Sequence, residues 1–306
     1  MVPILGTIAS SFDDTPSYPN ARGLFGLGSN PENPSYSNVI DYVTIATLGN
    51  AVDFGDATQA RDSRPAAVAS LTRGVFVGGS TNTFQNTMDY VTIASAGNAT
   101  DFGDYVAPNQ TFSGAGSATR GVMGGGYDGA GVRTDYRYIT IATTGNTTSF
   151  GTMDNNSSNN TAFAGGPRAI WAMDYPDSTQ MEYITIATTG NGTDFGDLTV
   201  GRSFGGSASS ATRGLIAGGY DGGAYRNVID YVTIATLGNA IDFGDLLTTA
   251  NRSGSGTSNS NRAIFHAHSD EITYVTITTT GNSIDFGNLT TPANTEVALS
   301  NGHGGL

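Results

Sequence analysis

The chain has 306 residues, 43 of them glycine, and contains no cysteine. It carries 26 acidic residues against 13 basic ones, all arginine, which gives a net charge of −13. The lack of cysteine excludes disulfides, thiolate metal ligands and a cysteine nucleophile. The excess of acids argues against nucleic acids and anionic membranes as partners. The sequence contains no run of about eighteen apolar residues, so no membrane span is expected.

One segment recurs along the chain. Residues 38–56 read NVIDYVTIATLGNAVDFGD, and residues 227–245 read the same except that Ile241 replaces Val52. Weaker copies bring the total to six, and a period of about 48 residues indicates a repeat architecture. The repeated tyrosines are Tyr42, Tyr90, Tyr138, Tyr183, Tyr231 and Tyr274, and the repeated phenylalanines are Phe54, Phe102, Phe150, Phe195, Phe243 and Phe286.

Each repeat contains four segments that are expected to be strands. In order they are a run of small residues, a run that follows an arginine, the Tyr-Val-Thr-Ile-Ala run and the Asp-Phe-Gly-Asp run. In the third, Ile40 and Tyr42 would share one face and Val39 and Val43 the other. Both faces are apolar, which is typical of a strand buried on two sides. The residues that follow, 48–50, are expected to form a tight turn.

Four short strands per repeat, without a helical pattern, predict an all-β six-bladed β-propeller with four antiparallel strands per blade. Residues 20–306 are expected to form this single domain, and residues 1–19 an N-terminal arm or closing segment. The C-terminal segment 296–300 reads as one more first strand, so we expect it to close the ring by pairing into the blade of Tyr42. The alternative is that residues 7–18 supply that strand.

The order of the four segments resembles the kelch repeat over about residues 20 to 300. The six tyrosines match the kelch tyrosine, whereas phenylalanine stands where kelch repeats have tryptophan. The glycine pairs that end the second segment match at Gly78-Gly79, Gly125-Gly126 and Gly218-Gly219. The resemblance implies a kelch-like propeller and says almost nothing about activity.

A narrower resemblance concerns repeats of the form YVTIATTGNATDFGDL with RGxFxGG upstream. They are similar to predicted virion proteins of marine bacteriophages, including cyanophages. The resemblance implies a tail-fibre, tail-tip or capsid-decoration module for host attachment or assembly, with other virion proteins or a host-surface glycan as partners. A homo-oligomer is an open alternative. The start of the chain lacks a basic segment, so no signal peptide is expected, and the implied location is the virion.

The loops after two glycine pairs are candidate ligand sites. They combine tyrosine, which offers a flat face to a sugar, with aspartate, which binds hydroxyl groups. The alternatives are an ordinary Asp-Gly turn and a calcium loop. The fourth repeat has lost its glycine pair and carries the only tryptophan, so it is a further candidate. The ligand-binding candidates are Tyr127, Asp128, Trp171, Tyr175, Tyr220, Asp221 and Tyr225.

The sixth repeat reads His266-Ala267-His268, and alternation puts both imidazoles on one face of a strand. With His303 in an adjoining blade they would form a candidate transition-metal site, although two ligands on one strand are too few for tight binding. Two partly exposed histidines in place of a glycine pair are the alternative. No cofactor is otherwise expected, and calcium or a transition metal stays an open alternative.

The remaining motifs predict structure more than chemistry. Asp-Phe-Gly matches a kinase motif, but it occurs five times in a chain without lysine, and a catalytic motif is used once.

The arginine that opens each second segment is expected to pair with carboxylates of the Asp41 or Asp56 type. We therefore expect a non-enzymatic protein. A carbohydrate-binding lectin and a propeller enzyme with a loop-borne metal or carboxylate site are the alternatives. The six arginines are Arg22, Arg73, Arg120, Arg168, Arg213 and Arg262.

Overall fold

The computed structural model describes residues 20–30, 36–172, 176–248, 254–294 and 296–306, without the side chains of residues 267 and 268. Within these ranges the chain forms 24 strands and no helix, so no helix in this part of the chain could cross a membrane. The strands make six four-stranded antiparallel sheets. The expected six-bladed β-propeller is confirmed. The expected arm, residues 1–19, lies outside the described residues.

The blades follow one another along the chain. Blade 1 contains β1 (Arg22–Gly26), β2 (Ser37–Thr44) and β3 (Val52–Arg61). Blade 2 contains β4 (Ala66–Ala69), β5 (Arg73–Val77), β6 (Thr87–Thr92) and β7 (Thr100–Asp104). Blade 3 contains β8 (Ser113–Gly116), β9 (Arg120–Gly124), β10 (Asp135–Thr140) and β11 (Thr148–Thr152). Blade 4 contains β12 (Thr161–Gly165), β13 (Arg168–Ala172), β14 (Gln180–Thr185) and β15 (Thr193–Asp197).

Blade 5 contains β16 (Gly206–Ser209), β17 (Arg213–Ala217), β18 (Val228–Thr233) and β19 (Ile241–Asp245). Blade 6 contains β20 (Ser255–Ser258), β21 (Arg262–His268), β22 (Glu271–Thr276) and β23 (Ile284–Asn288). The last strand, β24 (Val297–Ser300), returns to blade 1. The first strands of blades 2–6 and β24 surround the central channel.

Ring closure by the C-terminal strand is confirmed. β24 pairs antiparallel with β1, with Gly23 opposite Ser300 and Gly26 opposite Val297. It also packs against β4 and β20, the inner strands of the two neighbouring blades. Blade 1 thus obtains its fourth strand from the far end of the chain. Residues 7–18, the alternative source of that strand, lie outside the described residues.

The hydrophobic core is divided into clusters between neighbouring blades. On β2, Ile40 packs with Phe76 and Val91 of blade 2, whereas Val43 packs with Ile264 and other residues of blade 6. The two apolar faces expected for the third segment therefore contact two different blades. Because each blade buries both faces only against its neighbours, the ring is stable as a whole and not blade by blade.

Backbone hydrogen bonds link the outer strand of every blade to the turn between the third and fourth strands of the next blade. Between blades 1 and 2, the amide of Gly97 donates to the carbonyl of Phe54 (2.7 Å), and the side chain of Asn98 accepts from the amide of Asp56 (3.1 Å). Equivalent bonds occur at all six junctions. We call this set of contacts the junction belt.

The glycine of each Asp-Phe-Gly segment is required by the junction belt. A Cβ added at Gly103 would overlap the carbonyl group of Gly145 in the next turn, and Gly103 also adopts a φ of +137°. Gly55 and Gly244 have the same geometry, with φ of +140° and +144°. The repeated motif is therefore a packing motif, since only glycine leaves room for the neighbouring backbone.

The six repeated arginines bind the next blade, but not through carboxylates as expected. Each guanidinium lies 4.1–4.6 Å from the ring centroid of the repeated tyrosine in its own blade. Its Nη1 donates over 2.8–3.0 Å to the carbonyl of a buried isoleucine in the next blade. The pairs are Arg22 to Ile93, Arg73 to Ile141, Arg120 to Ile186, Arg168 to Ile234, Arg213 to Ile277 and Arg262 to Ile45.

The Asp41-type carboxylates have other partners, which corrects the predicted pairing. Asp89 forms a fully buried ion pair with Arg61 (2.7 Å), and Asp230 forms one with Arg202 (3.0 Å). Asp41 instead accepts hydrogen bonds from the amide and hydroxyl of Thr290. These partners lie at or near the chain segments that link neighbouring blades, so the acids of the third strands hold those segments in place.

The last residues, 301–306, cover one end of the central channel. Burial lowers the pKa of His303, and its Nε2 lies 3.0 Å from the carbonyl of Ala69 in blade 2. The carbonyl of Gly304 accepts from Gly166 in blade 4 (3.3 Å). A Cβ at Gly305 would overlap the carbonyl of Gly116 in blade 3. The small residues of this tail thus let the chain lie directly on three blades.

A matched pair of alanine substitutions tests the junction belt. Gly151 and Gly190 face each other at the junction of blades 3 and 4, and neither has a positive φ. A Cβ at Gly151 would overlap the Gly190 carbonyl, whereas a Cβ at Gly190 meets nothing within 4 Å. We expect Gly151→Ala to lower the free energy of unfolding by about 2 kcal/mol and Gly190→Ala to change it little. Denaturant titration measures both, and equal effects would contradict the belt.

Replacing one repeated arginine tests the arginine–tyrosine contact. Arg213→Gln removes the cation over Tyr231 and the hydrogen bond to Ile277, and we expect a loss of about 2 kcal/mol in unfolding free energy. Arg226 of the same blade is half-exposed and pairs with Asp221, so Arg226→Gln should cost less than about 1 kcal/mol. Thermal melts of both variants measure the two losses of stability. Similar melting temperatures would show that the repeated arginine is not structural.

Candidate functional site

The two faces of the ring carry different connections. One face, here called the loop face, carries the loops between second and third strands and the links between blades. The other, the turn face, carries the remaining turns and the C-terminal tail. On the loop face, isolated bridges join Tyr127 to Gln110 and Tyr220 to Ser203. The candidate loops are thereby fixed to the preceding blade link by their backbone.

Asp128 is committed to its own loop. Its Oδ1 accepts from the amides of Ala130 (2.9 Å) and Gly131 (3.0 Å), and its Oδ2 accepts from Arg133 (2.9 Å). Burial alone would raise the pKa of Asp128, but these hydrogen bonds and the guanidinium hold it below its ordinary value. The neighbouring Tyr127 is exposed, and its ring meets that of Phe84 edge to face at 5.8 Å.

The second loop repeats this arrangement in blade 5. Asp221 accepts from the amides of Ala224 (2.8 Å) and Gly223 (3.1 Å), and it forms an ion pair with Arg226. The Ala224 amide and the Arg226 side chain lower the pKa of Asp221 to about 2. Both carboxylates therefore stabilise turns. What the loops present outward is aromatic: Tyr220 and Tyr225 are half-buried, with ring centroids 5.2 Å apart.

The candidates of the fourth repeat do not form a surface site with these loops. Trp171 lies on β13, is 2% exposed and packs against Tyr136 with ring centroids 4.6 Å apart. It belongs to the core between blades 3 and 4, so its ring has no face open to a solute. Tyr175 lies outside the described residues.

His266 is buried and both of its ring nitrogens are engaged. Nδ1 contacts Oε1 of Glu296, and Nε2 lies 3.1 Å from the carbonyl of Ser269. Since both nitrogens face acceptors, the ring is an imidazolium that joins blade 6 to the residue preceding β24. His303 lies elsewhere, at the turn-face end of the central channel, where its Nε2 contacts the carbonyl of Ala69. The backbone of His268 lies in β21, and its side chain is not among those described.

No group of three or more His, Cys, Asp or Glu residues that could hold a metal occurs in the described part of the chain. The expected His-x-His site therefore has no third ligand there. His266 acts instead as a structural cation, at the position that Val77 and Ala217 occupy in blades 2 and 5.

Sequence reasoning missed the loop-face mouth of the central channel. Arg64 and Glu296 line a cavity of about 50 Å³ there, together with small residues of the inner strands. Arg64 is 8% exposed and donates through Nη2 to the carbonyl of Gly205 (2.8 Å). Its guanidinium also lies 5.7 Å from the ring centroid of Phe204. Arg64 belongs to none of the repeated positions. An arginine outside the repeat is the feature of the sequence that could have indicated this site.

The backbone at the mouth is strained. Arg64 adopts a φ of +54° and the preceding Ser63 one of +64°, the left-handed region that residues other than glycine rarely occupy. Burial lowers the pKa of Arg64 to about 10, so it carries its charge at neutral pH. Strain of this kind concentrates at binding sites, where it places a side chain in a fixed direction.

A comparison of the sequence with models of known protein families gave no match, and a comparison with curated proteins gave none either. The fold and the geometry of the two faces are therefore the basis for assigning a role.

The buried pair of His266 and Glu296 predicts how stability depends on pH. Burial alone would lower the pKa of His266, but Glu296 raises it above its ordinary 6.5. Burial alone would raise the pKa of Glu296, but His266 lowers it below its ordinary 4.5. The histidine contribution is complete below pH 6.5 and is lost as pH rises through its raised pKa. The glutamate contribution is complete above pH 4.5 and is lost as pH falls through its lowered pKa.

The pair therefore stabilises most between these two values. We expect Glu296→Gln to reduce the unfolding free energy by about 3 kcal/mol near pH 5.5 and by less at about pH 9, because the histidine loses its proton as pH rises through its raised pKa. Melting curves of both proteins across this range measure the difference. The same difference at both pH values would show that the two side chains are not an ion pair.

Proposed function

We propose that this protein is a non-enzymatic structural and attachment module of a bacteriophage particle, as a tail-fibre, tail-tip or capsid-decoration component. The β-propeller is consistent with a binding or structural role. The resemblance of the repeats to predicted virion proteins of marine phages supports the finer assignment. The chain has a net charge of −13, which suits a protein surface or a neutral glycan better than a nucleic acid.

An arc of exposed aliphatic side chains on three consecutive blades is the observation that carries this proposal. They lie at or beside the turns between third and fourth strands in blades 5, 6 and 1, and each is more than half exposed. We call this surface the apolar arc. It consists of Leu48, Val52, Leu237, Ile241 and Ile284.

The other three blades lack these aliphatic groups. At the positions equivalent to Val52, blades 2, 3 and 4 carry Thr100, Thr148 and Thr193. The apolar arc is therefore not demanded by the propeller, since threonine serves equally well in half of the ring. At these turns the exposed aliphatic groups occur in one sector only, which favours docking against another protein, as assembly into a particle requires.

A carbohydrate-binding lectin is the second candidate. The aromatic pairs of the loop face favour it: Tyr220 with Tyr225, and Phe84 with Tyr127. Aromatic rings bind the apolar faces of sugars. The carboxylates beside these rings are already bonded within their loops, so stacking and not charge would dominate such binding.

The first test of the proposal is whether the protein is present in phage particles. Particles purified by density gradient from a lysate of the infected host should contain peptides of this protein by mass spectrometry, and an antibody against the purified protein should label them in electron micrographs. Detection in infected cells but not in purified particles would overturn the assignment to the virion.

Variants then separate assembly from glycan binding. The triple variant Val52→Thr, Ile241→Thr, Ile284→Thr gives the arc the residues of the other blades, so its fold should be preserved while its incorporation into particles falls. Leu247→Thr, at an exposed leucine outside the arc, is the control. If the protein is a carbohydrate-binding lectin, Tyr225→Ala should abolish its binding to a glycan panel. Normal incorporation of the triple variant would contradict docking through the arc.

A further inference from the structure

Two buried polar groups at the loop-face mouth of the central channel lack hydrogen-bond partners among the described residues. They are Nη1 of Arg64 and Oε2 of Glu296, and both residues line the same cavity. Both side chains are more than nine-tenths buried. Native proteins rarely leave such groups unpaired, because each unmet group costs the free energy of its lost hydration. A donor and an acceptor thus face a common space that a bound molecule can satisfy.

The space is small and its walls are neutral. The cavity of about 50 Å³ is several times the roughly 10–15 Å³ that one water requires, so it accepts a molecule of a few non-hydrogen atoms. Apart from the two charged residues, its walls are glycine, alanine and other uncharged groups, among them Gly114, Ala162 and Ser207. The two charged side chains therefore determine what binds.

The positive charge of Arg64 has no ion-pair partner among the described residues. Glu296 is paired through Oε1 with the His266 imidazolium, and Arg64 donates only to a backbone carbonyl. Asp270, between β21 and β22, also acts on His266 and accepts hydrogen bonds from Ser269 and Asn288. A buried cation without a counter-ion is unfavourable, and a monoanion would neutralise it.

We propose that the loop-face mouth of the central channel binds a small hydroxycarboxylate, with its carboxylate on Arg64 and its hydroxyl on Oε2 of Glu296. The carboxylate accepts from the free Nη1 of Arg64, and the hydroxyl donates to the free carboxylate oxygen. Glu296 keeps its other oxygen on Ser255 (2.7 Å) and His266, so the ligand displaces no existing bond. This site is independent of the apolar arc on the other face.

Calorimetric titration of the purified full chain tests the site with glycolate, acetate and glycine as probes at matched ionic strength. Glycolate should bind at one site per chain. Acetate lacks the hydroxyl and should bind several-fold more weakly. Glycine offers an ammonium to Oε2 of Glu296 in place of the hydroxyl, and tighter binding of glycine than of glycolate would overturn the assignment to a hydroxycarboxylate. Water alone in the cavity would give no saturable heat with glycolate or acetate, and that result would overturn the proposal.

Variants locate the binding. Arg64→Met should weaken glycolate binding by about tenfold to a hundredfold, as expected for the loss of a charged hydrogen bond. Arg137→Gln removes an arginine bonded to Asp135 on the outer part of blade 3 and should leave the affinity unchanged. If Arg64→Met does not fold, the order of the three probes on the unmodified protein decides. Equal affinity in Arg64→Met and the unmodified protein would also overturn the proposal.

Discussion

The ring depends on a contact in which two backbones approach closely at each blade junction. The glycine of Asp-Phe-Gly leaves room for the carbonyl group of the next turn, and the turn donates back to the phenylalanine carbonyl. Such a contact has no side chain to vary, so it constrains the sequence in the same way six times. It accounts for the Gly-Asn pair that recurs in all six turns between third and fourth strands, because those residues make the junctions and not a repeated ligand site.

The fold could be predicted from the sequence because its determinants are periodic, whereas the partners of the charged groups could not. The equivalent positions of the arginines and of acids of the Asp41 and Asp56 type suggested that the two groups pair. In the structure Arg213 lies over Tyr231 and binds the carbonyl of Ile277, because the closest acceptor at that depth is a main-chain group of the next blade. The acid Asp230 is bound by Arg202, a link residue that no periodicity identifies.

The same limit applies to the candidate site. The repeat pattern drew attention to Asp128 and Asp221, whose oxygens are used inside their own loops. Arg64 and Glu296 lie in unrelated parts of the sequence and meet only because the C-terminal strand closes the ring beside blade 6. Departures from the repeat did mark a special region: the sixth repeat has lost its glycine pair, and His266, immediately before that position, binds Glu296. Its role as a structural cation required knowledge of the closing strand.

A ring of equivalent blades offers six equivalent surfaces, so a single docking geometry needs a source of asymmetry. In this chain the differences gather around the closure. The ion pair of His266 with Glu296 joins blade 6 to the closing strand, and the apolar arc covers blades 5, 6 and 1. Repeated residues are used for making the ring, and residues that break the repeat distinguish one sector from the rest. Because that sector includes the joint between the two ends of the domain, a partner bound there would contact both ends at once and oppose opening of the ring.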